Sequence, residues 1–207
     1  GTIKKIKKVA EIISDYKKKD YKIIVVSSAM SGVTNDLIKK SLKVSNNFSD
    51  TEHDVLVSTG EQVACSLIAG RLIHKGFKSR SWLSWQIPII TKGSHKNSRI
   101  NEINKNKIIK YLKQGGIPII TGFQGINDEN RITTIGRGGS DASAIMIAQF
   151  FKAKRCIIYT DVEGVYTTDP NKLSKAKKIK VISYEEMLEM ASLGAKVMQP
   201  VSIQDAR

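Results

Sequence analysis

Six consecutive residues, Gly136-Arg-Gly-Gly-Ser-Asp141, combine the parts of an anion-binding site. An extended run from Arg131 to Ile135 precedes them, and a largely apolar helical pattern from Ser140 to Lys152 follows. Gly138 and Gly139 therefore fall just ahead of a helix N-terminus, where backbone N–H groups and the helix dipole favour negative charge. Arg137 adds a guanidinium able to hold a carboxylate or phosphate through two parallel hydrogen bonds. Ser140 is the expected N-cap, and Asp141 brings a carboxylate to the same place. A helix dipole alone could select that carboxylate, but its company of glycines, Arg and Ser points to a working site. Neither Gly-x-x-x-x-Gly-Lys-Ser/Thr nor Gly-x-Gly-x-x-Gly occurs, so the phosphate grip is neither a P-loop nor a dinucleotide fingerprint.

A second candidate is Thr160-Asp-Val-Glu-Gly-Val-Tyr-Thr-Thr-Asp-Pro170. Gly164 and Pro170 supply ordinary turn chemistry, yet the loop also carries Asp161, Tyr166 and Asp169. An aromatic flanked by hydroxyls and carboxylates suits an adenosine. The sheet order inferred from the sequence sets this loop beside the glycine segment. A third candidate, Ser58-Thr-Gly-Glu61, reads as a capping box that opens a helix running to about His74.

These residues need elements to position them. Ile3, Ile6, Val9, Ala10 and Ile13 recur at helical spacing, and Thr34 to Val44 reads as a second helix. Short apolar runs at Lys22–Ser27, Ile117–Thr121 and Arg155–Thr160 have the pattern of strands buried on both faces. Further strands are expected at Ser79–Leu83 and Pro88–Thr91, a helix over Asn101–Gln114 ended by Gly115-Gly116, a turn over Gly122–Asn130, and a capped helix from Ser183 through Leu193. Strands alternating with helices predict an α/β fold: a mainly parallel central sheet sandwiched by helices in three layers. No internal repeat or linker divides residues 1–207, so one domain is expected.

Composition narrows the function classes. The chain has 207 residues, 41% of them hydrophobic, and a formal charge of +15. Only seven of the 34 basic residues are Arg, and the lysines are dispersed over helix faces without interleaved aromatics. That pattern argues against nucleic acid as a partner, while the positive field favours anionic substrates. No apolar stretch is long enough to span a membrane. Cys65 and Cys156 are far apart and read as buried thiols of a reduced, cytoplasmic compartment.

Taken with Ser27-Ser-Ala-Met-Ser-Gly-Val-Thr-Asn35, Thr121-Gly-Phe-Gln-Gly125 and Gly194-Ala-Lys-Val197, these motifs stand in the order and spacing of aspartokinases, of the amino acid kinase superfamily. The chain resembles that family along essentially its whole length. The resemblance implies transfer of the γ-phosphoryl group of ATP to the side-chain carboxylate of aspartate, the first step toward lysine, threonine and methionine, by a homo-oligomeric enzyme. It implies that Glu61 takes the aspartate amino group and Arg137 its carboxylate, with Thr34, Gly138, Gly139 and Ser140 around the substrate. Asp141 would organise the groups that hold the transferring phosphoryl, and Lys196 would reach the β- and γ-phosphates. Ser28, Thr160, Asp161, Tyr166, Asn171, Lys196 and Val197 would line the nucleotide site. Mg2+ would arrive with ATP, and no metal held by the protein's own ligands is implied.

The match has gaps. Family members begin with a strand ending in Lys-Phe-Gly-Gly-Thr-Ser, which has no counterpart here, and they continue into C-terminal ACT domains. The residue after Pro170 is usually Arg and is Asn171 here. Residue 1 is Gly and the first Met is Met30, so the sequence is expected to be cut at both ends. An inactive relative acting as an assembly or regulatory subunit is the competing expectation.

Overall fold

A computed structural model describes residues 2–136, 138–160, 164–168, 172–173, 175–193, 198 and 203–204. Its elements follow in the order α1 (Ile3–Lys18), β1 (Val25–Ser27), α2 (Val33–Val44), α3 (Asp50–His74), β2 (Ser79–Trp82), β3 (Ile89–Lys92), β4 (Arg99–Ile103), α4 (Asn106–Lys113), β5 (Ile117–Thr121), β6 (Gln124–Ile126), β7 (Ile132–Thr134), α5 (Gly139–Phe150) and α6 (Tyr184–Ser192). One sheet, ordered β1-β5-β2, is parallel throughout. The other, ordered β4-β3-β6-β7, joins β3 to β6 in parallel and carries antiparallel pairs at β3/β4 and β6/β7.

Side-chain alternation along the parallel strands builds the three layers. Successive residues of a strand face opposite sides. Ile117 and Ile119 of β5, with Ile23 and Val25, pack on Ile6, Ala10 and Ile13 of α1 and on Cys65, Ile68 and Leu72 of α3. Ile120, with Ile24 and Val26, faces the other way, toward Ile108 of α4, Ala142 and Ile147 of α5, and Ile89, Ile100 and Ile103 of β3 and β4. Every residue of β5 is buried, as a central parallel strand requires.

Five local expectations are corrected. Ser58-Thr-Gly-Glu61 does not open a helix: it lies in the middle of α3, and Ser58 Oγ donates to the carbonyl of Val55 three residues back. The helix starts at Asp50 instead, with Asp50 and Glu52 in its first turn, where acidic groups suit the dipole. Asn101–Ile103 belongs to β4, because pairing with β3 buries Ile100 and Ile103. The turn expected over Gly122–Asn130 contains the short strand β6, which the pairing of Gln124 with Thr134 defines. Arg155–Thr160 is not a strand and is largely exposed, with Ile157 46% and Tyr159 61% accessible. An extended segment becomes a strand only where a neighbour supplies the ladder, and none of the described strands pairs with it. Cys156, in this segment, is exposed rather than buried, whereas Cys65 is buried as expected.

Candidate active site

The candidate residues converge at the C-terminal ends of β1 and β5, where open α/β sheets place ligands. The backbone N–H of Gly122, just after β5, donates to the carbonyl of Ser27 at the end of β1 (3.0 Å). A Cβ on Gly122 would meet Val26 Cγ1 at 3.1 Å and Ser140 Cα and Cβ at 3.2 Å, so glycine there lets the first turn of α5 close onto the strand ends. A Cβ on Gly60 would stand 2.8 Å from Ala29 Cβ and 3.3 Å from Val33 Cγ1. Glycine at that position brings the loop after β1, with Ser28 exposed and Thr34 half-buried at the start of α2, against α3.

That approach positions Glu61. Its Oε1 accepts the backbone N–H of Ala29 at 3.0 Å, while Oε2 is buried with no hydrogen-bond partner among the described residues. Burial pushes its carboxyl up to about 7, and the Ala29 N–H offsets only part of that effect. A buried carboxylate with one unpaired oxygen can accept a further donor or a cation. Thr121 Oγ1 and Gln124 Oε1 are likewise buried and unpartnered, while Gln124 Nε2 donates to the carbonyl of Ser58 on α3 (3.0 Å). Cys65, one turn beyond Glu61, is pushed up to about 12 by burial and by the Glu61 charge, so it serves as an inert packing group.

The glycine segment packs on the same strand ends. Gly138, in the left-handed region at φ +74°, is the N-cap of α5; Ser140, expected in that role, lies inside the first turn. Ser143 Oγ donates to the carbonyl of Gly139 (2.6 Å) and accepts the N–H of Phe123 (3.0 Å), tying the segment to the residue after Gly122. Phe123 itself holds φ +66°, an uncommon conformation for a bulky residue and one that marks a constrained position. Its ring lies against Gly139, where a Cβ would meet it at 2.8 Å. Asp141, in the first turn of α5, is half-buried and makes no hydrogen bond or ion pair with the described residues; burial raises its carboxyl above the usual range. Cys156 lies near it: partial burial of the sulfur and then the Asp141 charge push this thiol upward, although the residue as a whole is exposed.

The structure thus brings Ser28, Thr34, Glu61, Gly138, Gly139, Ser140 and Asp141 to one end of the sheet. Tyr166 forms an antiparallel bridge with Lys178 and is half-buried, and Thr160 is exposed. Because Arg155–Thr160 forms no strand, no sheet order among the described strands sets their loop beside the glycine segment. Arg137, Asp161, Asn171, Lys196 and Val197 lie outside the described residues. The sequence reading gave no role to Ala29, Phe123 or Ser143. Phe123 had a signal, since it sits inside the motif Thr121–Gly125; Ala29 acts through its backbone, which no residue type announces.

The arrangement is thus an α/β sheet with helices on both faces, glycines at the start of α5 and a buried carboxylate on α3 near the same strand ends. The chain belongs to the Amino acid kinase family, whose profile matches residues 1–207. It is 49% identical over 207 residues to an aspartokinase of Rickettsia felis, covering 99% of this chain and 52% of that protein. Its fold superposes on the aspartate kinase of Synechocystis with a TM-score of 0.86 at 38% identity, over 100% of this chain and 34% of that one. Against E. coli aspartokinase III in complex with aspartate and ADP the TM-score is 0.80 at 28% identity, over 89% of this chain and 52% of that one. The chain spans about half the length of the curated relatives it matches.

Proposed function

We propose that this chain forms the phosphoryl-transfer domain of an aspartate kinase, joining the γ-phosphoryl group of ATP to the side-chain carboxylate of aspartate. The observation that carries the reading is Glu61: a buried carboxylate held by the Ala29 N–H with its other oxygen unpaired fits the ammonium of an amino acid. The N-terminus of α5 supplies the complementary anion-binding element. The kinship with aspartokinases supports aspartate as that amino acid.

In this reading the aspartate β-carboxylate is itself the nucleophile. A carboxylate oxygen attacks the γ-phosphorus, the bond to the bridging oxygen breaks, and ADP leaves with the electron pair. The protein needs to position and to neutralise charge. Glu61 holds the ammonium, and Arg137 with the N–H groups around Gly138, Gly139 and Ser140 holds the α-carboxylate, beside Thr34. Lys196 neutralises the β- and γ-phosphates, and Ser28, Thr160, Asp161, Tyr166, Asn171 and Val197 line the nucleotide. Asp141 fits a place beside the transferring phosphoryl, since a half-buried carboxylate with no partner among the described residues is suited to a cation. Among the described residues no group of three or more acidic, His or Cys side chains could hold a metal by itself. Mg2+ would be carried in on ATP, where it would shield the phosphate charge. No described helix is long and apolar enough to cross a membrane, and we place the enzyme in the cytoplasm as a homo-oligomer, at the head of lysine, threonine and methionine synthesis.

The deciding experiment incubates the full-length protein with ATP, Mg2+ and aspartate and traps the acyl phosphate with hydroxylamine. Aspartate-dependent hydroxamate is the expected product. ADP release that is indifferent to aspartate would refute the reading.

A further inference from the structure

Asp54 is wholly buried in α3, yet its carboxylate takes four hydrogen bonds, all from segments that lead to the glycine wall of the site. Oδ1 accepts the Thr134 hydroxyl at 2.6 Å. Oδ2 accepts the backbone N–H of Thr134 at 3.1 Å and that of Lys96 at 3.0 Å. His95 Nδ1 lies 2.8 Å from Oδ2 and must carry its proton there, because a carboxylate only accepts. Asp54 therefore grips both the end of β7 and the loop between β3 and β4.

These two segments in turn hold the start of the glycine segment. Ser98 donates to the Thr134 carbonyl through both its N–H and its hydroxyl, each at 3.0 Å. The Lys96 carbonyl accepts the N–H of Gly136 at 3.1 Å, and a Cβ on Gly136 would stand 3.1 Å from Asn97 Oδ1. Gly136 is thus backed by a loop whose own anchor is Asp54. On the same helix, seven residues on, stands Glu61. Seven residues are nearly two full turns, so both carboxylates share one face, roughly 10 Å apart along the axis. Ion pairs from Asp50 to Lys96 (2.9 Å) and from Glu52 to Arg131 (2.6 Å) brace the same end of the helix from the surface.

We propose that Asp54 is a positioning residue that sets the distance between Glu61 and the Gly136–Asp141 segment, and through it the fit of the amino acid between ammonium and carboxylate sites. This rests on the reading of the site as an aspartate site. A carboxylate serving stability alone could bond anywhere in the core; among the described residues this one takes its hydrogen bonds only from the elements that back the glycine segment. The geometry also ranks the variants. Asn with its oxygen in the Oδ2 position keeps three donors, and its amide can face a Thr134 hydroxyl that turns to accept. Alanine releases all four.

The test is steady-state kinetics on the full-length protein with Asp54→Ala, Asp54→Asn and His95→Phe, beside Leu72→Ala, a core control at the far end of α3. Asp54→Ala is expected to raise the aspartate KM about tenfold or more while the ATP KM stays within about threefold. His95→Phe should give a smaller rise with the same selectivity, and Asp54→Asn the least. Leu72→Ala should lower Tm without moving the aspartate KM, which separates positioning from loss of stability. Should Asp54→Ala fail to fold, His95→Phe decides alone. An aspartate KM unchanged from wild type, or aspartate and ATP KM values rising together, would overturn the proposal. Wild-type protein without aspartate-dependent turnover would remove the activity reading and this inference with it; normal turnover with an unmoved KM removes the inference alone.

Discussion

Glu61 Oε1 accepts the backbone N–H of Ala29 at 3.0 Å, a bond between α3 and the loop after β1 that spans 32 residues of sequence. It satisfies one carboxylate oxygen and leaves the other buried and unpaired. Glu61 is therefore held in place before any ligand arrives, in a setting that disfavours its own charge.

This has a consequence for stability. The folded carboxyl sits at about 7, above its ordinary 4.5, so between those values the folded state holds a proton that the unfolded chain releases. The contribution to stability is full below 4.5 and lost as pH rises through about 7. Glu61→Gln, which keeps the shape without the charge, should match wild type near pH 5. At pH 8 it should be more stable, by on the order of 3 kcal/mol. Urea melts at the two pH values check this, and an equal difference at both would contradict it.

The same group predicts how aspartate binding depends on pH. An ammonium prefers the ionised carboxylate, so aspartate affinity should rise from pH 6 to pH 8 in the wild type. In Glu61→Gln it should be weak and flat over that range, with nucleotide affinity little changed. Isothermal titration of each ligand reads both quantities, and parallel loss of both ligands would assign Glu61 to folding instead.

Asp141 separates two roles by size. A carboxylate that only complements the α5 dipole contributes about 0.3–1 kcal/mol to stability and nothing to chemistry. Because burial raises its carboxyl, Asp141→Asn relieves a buried charge and should leave Tm unchanged or slightly higher. If Asp141 acts at the transferring phosphoryl, kcat should fall at least about a hundredfold. Turnover within a few-fold of wild type would reduce it to a helix-end charge.

Gly60 tests the closeness of the loop. The Cβ of Gly60→Ala would meet Ala29 Cβ at 2.8 Å, with backbone rather than a flexible side chain having to yield. Overpacking of this kind costs about 1–3 kcal/mol. The displaced Ala29 N–H should also loosen Glu61 and raise the aspartate KM. Denaturation and kinetics on one preparation measure the two effects together.

Leu72 is fully buried between α3 and the parallel sheet. Leu72→Ala should lower stability by about 2–5 kcal/mol through lost burial and a residual cavity. A loss below about 1 kcal/mol in urea melts would mean that the site collapses to fill the space.

The sequence alone determined the parts of this protein whose physics is local. The apolar run Ile117–Thr121 specified a strand buried on both faces, because no other setting tolerates it. Ser183 and Glu186 specified a helix start, since their capping bonds are made within three residues. The order of motifs declared the family. Tertiary structure decided whatever depends on a partner far along the chain. Ser58-Thr-Gly-Glu61 carries the residues of a capping box yet runs through the middle of α3, because Val57, Ala64, Cys65 and Ile68 gain more by packing as one long helix than a new start would return. Arg155–Thr160 has the composition of a strand but none of the described strands pairs with it. The unpaired oxygen of Glu61 and the four bonds of Asp54 exist only because residues 32 to 80 positions away in sequence arrive beside them, and burial and pairing across such distances are properties of the packed fold.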